Sequence, residues 1–235
     1  MTANDLLEEL QPLGSEGYRK VLRNHCVQEP LFGVKIEELK KIQKRFKQDY
    51  RLALDLYDTG VYDAMYLAGL IADDSKMTKK DLWHWLETAT CAALCEFTVA
   101  WVASESPHGR ELGLEWIESK QENVALAGWS TLSSLVAITE DADLDLAEFK
   151  RLLQRVQKTI HQQPNHVRSA MNRFVIAVGS YVRELTDLAL QTAAKIGPVT
   201  VDMGNTACKV PSAAESIQKV LKRGTIGKKR KSAKC

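Results

Sequence analysis

The sequence predicts an all-α protein, a single-domain solenoid of helical hairpins with about six helix pairs. Three observations carry this. Apolar residues recur at the helical period almost throughout, helix start and stop signals recur at short intervals, and strand patterns are nearly absent. No repeat recurs by identity at a fixed period, so the hairpins are degenerate copies. Residues 1–218 are expected to form the solenoid, with a short non-helical segment at 197–212, and residues 219–235 a basic, partly disordered tail.

In order along the chain, the opening MTANDLLEELQPL is acidic and amphipathic, without the basic-then-apolar layout of a signal peptide. The segment IEELKKIQKRFKQ puts Ile36, Leu39, Ile42 and Phe46 on one stripe. Lys40, Lys41 and Lys44 share about 100° of arc on the opposite face, where they either grip phosphates or form a solvated surface. Capping boxes are legible at Thr78–Asp81, Ser119–Glu122 and Ser212–Glu215. The stretch TATCAALCEFTVAWVA, residues 88–103, is apolar almost all round and reads as a central buried helix. Pro164 suits a helix first turn, and IGP at 196–198 is a stop. Helices centre at about residues 9, 20, 41, 54, 67, 83, 96, 113, 130, 153, 172, 188 and 217, some merging to leave roughly ten or eleven. The exception is VTVDMGNTACKVP, residues 199–211, whose β-branched alternation around Gly204-Asn205 predicts a small hairpin or ordered loop.

Composition bounds the function. The chain has 235 residues, 45% hydrophobic and 26% charged, enough for a sizeable core. No apolar run reaches the roughly 18 residues of a membrane span. Cys26, Cys91, Cys95, Cys208 and Cys235 are odd in number and irregular in spacing, which points to free thiols in a reducing compartment. Cys91 and Cys95 lie one helical turn apart, but no second Cys/His pair accompanies them, so no metal is expected. No phosphate loop or Rossmann glycine fingerprint occurs, so neither a nucleotide nor any other cofactor is expected.

The net charge of +2 conceals an asymmetry. The eight basic residues from Lys219 onward, taken from the 32 in the chain, leave 24 against 30 acidic ones, a net of −6 for residues 1–218. The tail, with Lys228, Lys229, Arg230 and Lys231 in one run, has the composition of a polyanion-binding segment or of a solubilising terminus. Arg168, Arg173 and Arg183 stand beside apolar runs, where an arginine either pairs with a carboxylate or points into a groove. Lys209 lies in the non-helical segment, and loops on rigid scaffolds often carry function. Glu96 is the one formal charge in residues 88–103. A carboxylate so placed needs a partner, water or an opening. It either pairs with a basic side chain and locks the helix stack or faces a ligand groove.

Four stretches together resemble the DNA alkylation repair family, alkylpurine DNA glycosylases built from HEAT-like helical repeats: FGVKIEELKKIQK (32–44), MTKKDLWHWLETATCAALCEF (77–97), ENVALAGWSTLSSLVAI (122–138) and VRSAMNRFVIAVGSYVRELTDLALQTAAKIGPV (167–199). The likeness runs from about Gly33 to Gly224 and rests on order, spacing and length, not on one sharp motif. It implies removal of cationic N-alkylated purines from duplex DNA. The departing base is already positive, so positive charge moves onto the sugar, where a carboxylate stabilises it and aromatic faces attract the cationic nucleoside.

Carried over by position, the implied carboxylate is Glu96, one methylene longer than the Asp of active members. The Trp four residues before it is Ala92 here. An Arg expected within VALAGWSTLS is Ala127 or Gly128, beside which Trp129 is the lesion-lining candidate. A second aromatic near MNRFV corresponds to Arg173 or Phe174. The resemblance therefore implies a divergent DNA-binding member, with two marker groups lost and Glu96 as the catalytic candidate for N-glycosidic bond hydrolysis. The alternatives are a catalytically silent binder of branched or damaged DNA, and a protein–protein scaffold, which the net −6 of residues 1–218 favours. A monomer in the cytoplasm, nucleoid-associated if the source is bacterial, is expected.

Overall fold

The computed structural model describes residues 1–46, 48–202, 206 and 208–234. Among them lie thirteen α-helices and no strand, only an isolated antiparallel bridge between Gly14 and Val34. The all-α prediction holds. Several helices expected to merge stay separate. No described helix is long and apolar enough to cross a membrane. The contacts divide the chain into two compact units: Met1–His108 with Lys234, and Gly109–Asp202 with Cys208–Ala233.

The first unit contains α1 (Ala3–Leu10), α2 (Glu16–Asn24), α3 (Ile36–Gln43), α4 (Tyr50–Tyr57), α5 (Tyr62–Ile71), α6 (Lys79–Thr88) and α7 (Ala100–Glu105). Its hub is α5, buried at every residue, against which α1, α3 and α4 pack. One of those residues is Asp63, 0% exposed. A buried carboxylate is costly unless hydrogen-bonded. Asp63 meets this by accepting from the backbone N–H groups of Phe32 (2.6 Å), Gly33 (3.3 Å) and Val34 (2.7 Å). The loop it clamps turns at Gly33, φ +75°, where a Cβ would meet Arg19 Cγ at 2.5 Å. The predicted capping box of α6 is present, with Thr78 and Asp81 bonding each other's backbone.

Residues 88–103 depart from the predicted continuous helix. α6 ends at Thr88, residues 89–91 are non-helical, and Leu94–Val99 form π-helix before α7. Leu94, Cys95, Thr98 and Val99 are buried, whereas Ala92, Ala93, Glu96 and Phe97 form a half-buried strip. Gly69 of α5 lies under this segment, where a Cβ would stand 2.6 Å from Thr98 Cγ2.

The second unit contains α8 (Gly109–Trp116), α9 (Glu122–Ile138), α10 (Leu146–Thr159), α11 (Asn165–Tyr181), α12 (Thr186–Ile196) and α13 (Ala213–Lys222). The long helices α9 and α11 pack together around Trp129, Phe149 and Phe174. α13 approaches α11 closely because Gly179 has no side chain; a Cβ there would be 2.5 Å from Ile217 Cδ1. The predicted box at Ser119–Glu122 does not form. Gln121 is the N-cap of α9 without a side-chain bond, and Glu122 instead accepts from the backbone N–H of His166 at 2.7 Å. Ser212 does cap α13. Pro164 sits at the N-cap of α11, one position before the helix, and α12 stops at Gly197, φ +61°.

The described parts of the 199–211 segment contain no strand, and the proposed turn at Gly204-Asn205 lies outside the described residues. The basic tail differs from a free chain. Lys219 and Lys222 belong to the last turn of α13. Beyond it, Ile226 and Ala233 are 7% and 0% exposed. Carbonyls at the ends of two helices accept hydrogen bonds from tail residues.

Candidate nucleic-acid interface

The last carbonyls of a helix have no partner within it. At the end of α9, Val136 O accepts from Lys229 Nζ (2.9 Å) and Ala137 O from the backbone N–H of Arg230 (2.8 Å). At the end of α11, Ser180 O accepts from the N–H of Gly227 (2.9 Å). Arg183, just past α11, donates Nη2 to Ile226 O at 2.7 Å. The segment from Thr225 to Arg230 thereby becomes a wall beside α9, α11 and α13.

Between that wall and the helices lie two adjoining cavities of about 480 and 210 Å³ that share Ile176, Tyr181 and Arg230. Their charged lining residues are Arg173, Arg223, Lys228, Lys229 and Arg230, with no carboxylate among them. Ser133, Ser134, Ser180, Ser216, Thr225 and Tyr181 add hydroxyls. Burial pulls the Arg173 guanidinium below its ordinary pKa, yet an arginine stays protonated under any solution condition of interest. Lys229 is paired with Asp141, and a cleft with four further cations, several hydroxyl groups and one phenol ring is suited to oxygen anions spaced along a chain.

The first unit has a cavity of similar size, about 500 Å³, lined by Gln11, Ser15, Glu16, Arg19, Glu29 and Phe32 among others. Its charges cancel. Arg23 lies 2.7 Å from both Glu29 and Glu16, and Arg19 lies 3.1 Å from Glu29. The hydrogen bond from Arg23, helped by the Leu31 N–H and Arg19, holds the Glu29 carboxyl down at about 2. The cavity carries no net attraction for an anion.

The other sequence candidates fall as follows. The structure brings Arg173, Lys228, Lys229 and Arg230 together at the cleft, while Arg183 buttresses its wall. Lys231 and Lys209 are exposed and do not line it. Arg168 reaches Asn165 Oδ1 at 3.4 Å in the first turn of α11. On α3, Lys44 is exposed and Lys41 is paired with Glu38 at 2.7 Å. Trp129 and Phe174, candidates for lining a lesion, are 1% and 0% exposed. Their rings meet edge to face at 5.1 Å, with the Arg155 guanidinium 5.7 Å over the indole, so neither offers a face to a ligand. Helical spacing cannot separate a core ring from a cleft ring, and in this structure both rings lie in the core of the second unit.

Glu96 stands on the π-helical segment, half-buried, with Oε1 shielded from solvent. Ala92 and Ala93 beside it are half-buried. π-Helical insertions cluster at functional sites because they widen a turn and redirect a side chain. The neighbouring thiols are inert: burial raises Cys91 and pushes Cys95 up to about 12. Sequence reasoning missed Arg223 and Tyr181. Arg223 was visible as part of the basic block, but nothing marked Tyr181 apart from its place in an arginine-flanked stretch.

The fold and this cleft define a class first: an all-α helical-repeat protein with a polycationic, carboxylate-free recess. The family model described as DNA alkylation repair enzyme matches residues 6–215, and the chain belongs to that family. An uncharacterized protein of Listeria monocytogenes is 32% identical over 228 residues, covering 95% of this chain and 99% of the relative. One from Listeria innocua is 32% identical over 229 residues with the same coverage. A solved structure is superposable with a TM-score of 0.92 at 36% identity over 100% of both chains. That protein is described as belonging to a new family related to the HEAT-like repeat DNA glycosylases with affinity for branched DNA structures. The fold is thus the HEAT-like repeat fold of those glycosylases.

Proposed function

We propose that this protein binds DNA through the phosphate backbone, with branched DNA as the preferred substrate, and that the cleft of the second unit is the phosphate-binding surface. The observation that carries the reading is the lining: Arg173, Arg223, Lys228 and Arg230 converge beside Lys229, whose ammonium is paired with Asp141, and the residues lining the cleft include no carboxylate. The affinity for branched DNA described for the 36% identical structure supports the choice of substrate. A branch brings several backbones close together, which raises the phosphate density that such a cleft can engage. The test is a competition titration of a labelled four-way junction against duplex of the same sequence. The junction should bind more tightly, and Arg230→Glu should weaken it by at least about tenfold, roughly the cost of one lost and one repelled phosphate contact. Equal affinity for the two DNAs would remove the branched substrate; unchanged affinity in the variant would remove the cleft.

A second reading is excision of cationic N-alkylated purines with Glu96 stabilising the sugar cation, favoured by the π-helical placement of that carboxylate. Release of methylated purines from alkylated duplex, compared between wild type and Glu96→Gln, tests it. Release by wild type above the spontaneous rate, lost in the variant, supports the reading; release by neither removes it.

A further inference from the structure

An ion pair anchors the tail at Lys229. Lys229, its side chain 7% exposed, places Nζ 2.7 Å from Asp141 Oδ1. The same ammonium donates to Val136 O at 2.9 Å. Asp141 Oδ2 also accepts from the backbone N–H of Arg183 at 3.2 Å, and Arg183 in turn holds Ile226 O. One carboxylate therefore ties together Arg183, two residues beyond α11, and the lysine of the tail. On either side of the buried Lys229, Lys228 and Arg230 are exposed and line the cleft. Gly227, at φ +77°, provides the turn that starts this arrangement.

We infer that Asp141 and Lys229 are positioning residues for DNA: their pair latches residues 226–230 in place so that Lys228 and Arg230 meet phosphates already ordered. The inference rests on the DNA-binding reading of the cleft. It assigns opposite roles to adjacent lysines. Lys228 contacts the ligand, while the Lys229 ammonium is occupied by Asp141 and a helix-end carbonyl. Without the latch, the flexible segment would have to be ordered at the moment of binding, which weakens association.

The discriminating variant is Asp141→Asn, because simple electrostatics and the latch predict opposite signs. Removing a negative charge near a polyanion site strengthens binding if charge alone matters. Removing the latch weakens it, by about 5-fold if two long side chains lose their pre-ordering. The experiment measures the junction Kd and its salt dependence for wild type, Asp141→Asn, Lys229→Met and Lys228→Ala. It also follows amide hydrogen exchange of residues 226–230 in the free proteins. We expect weaker binding in the first two variants with an unchanged salt slope and faster exchange in the tail, and a shallower slope with unchanged exchange in Lys228→Ala. Asp141→Asn that binds as tightly as wild type, or more tightly, overturns the inference alone. So does unaltered exchange of the tail. A wild-type protein with no affinity for the junction overturns the DNA reading and this inference with it.

Discussion

Lys234 Nζ lies 2.7 Å from Asp74 Oδ2, with the two side chains 10% and 6% exposed. Lys234 also donates to Ala72 O at 3.1 Å. Burial pushes the Asp74 carboxyl up to about 6 from its ordinary value of 3.8, against the pull of Lys234 and with a further push from Glu105. The folded protein therefore holds this proton more tightly than the unfolded chain does. The contribution of Asp74 to stability is greatest below about pH 4 and falls as pH rises through about 6. Lys234→Met leaves the carboxylate buried without its cation. We expect a stability loss of about 3 kcal/mol at pH 8 and a smaller loss at pH 5, where Asp74 is mostly protonated in either protein. Urea unfolding at both pH values checks this; an equal loss at the two would contradict it.

Trp129 and Phe174 serve the core. Trp129→Ala or Phe174→Ala should cost about 3–5 kcal/mol of stability. Junction affinity of the folded fraction should stay within about twofold, since neither ring reaches the cleft. Denaturant unfolding and a binding titration on the same preparations separate the two effects. A selective loss of binding at full stability would return these rings to a ligand-contact role.

Asp63→Asn tests the clamp on residues 32–34. An amide offers one acceptor oxygen where the carboxylate offers two, so at least one buried N–H loses its partner. We expect a loss of about 2–3 kcal/mol and faster hydrogen exchange at Phe32 and Val34. Unchanged exchange there would show that the clamp is dispensable.

Cys91 and Cys95 should resist alkylation in the folded protein at pH 8, because both are buried and burial raises both thiols, Cys95 to about 12. The exposed Cys26 and Cys208 should be modified under the same conditions. Peptide mapping after iodoacetamide treatment reads both pairs at once.

How far the sequence discloses this protein depends on which information is local. Helical period and the caps at Thr78 and Ser212 are properties of neighbouring residues, and the helix centres they predict match the structure closely. The Ser119–Glu122 box does not form: α9 starts at Glu122 itself, which accepts from His166 of another helix. The π-helix around Glu96 has no residue pattern that distinguishes it from an α-helix. The cleft draws on residues 133–137, 173–181 and 216–230, which only the fold brings together. The partner of Lys229 in the tail is Asp141, which in sequence is one acid among several between α9 and α10.

The measurement that bears most directly on the cleft is the salt dependence of junction binding for wild type, Lys228→Ala, Arg230→Ala and the double variant. If the two side chains each neutralise a phosphate, the slope of log affinity against log salt falls by about 0.7–0.9 for each single variant and by roughly twice that for the double. A slope that stays at the wild-type value in all three variants would contradict the assignment and place the DNA elsewhere on the protein.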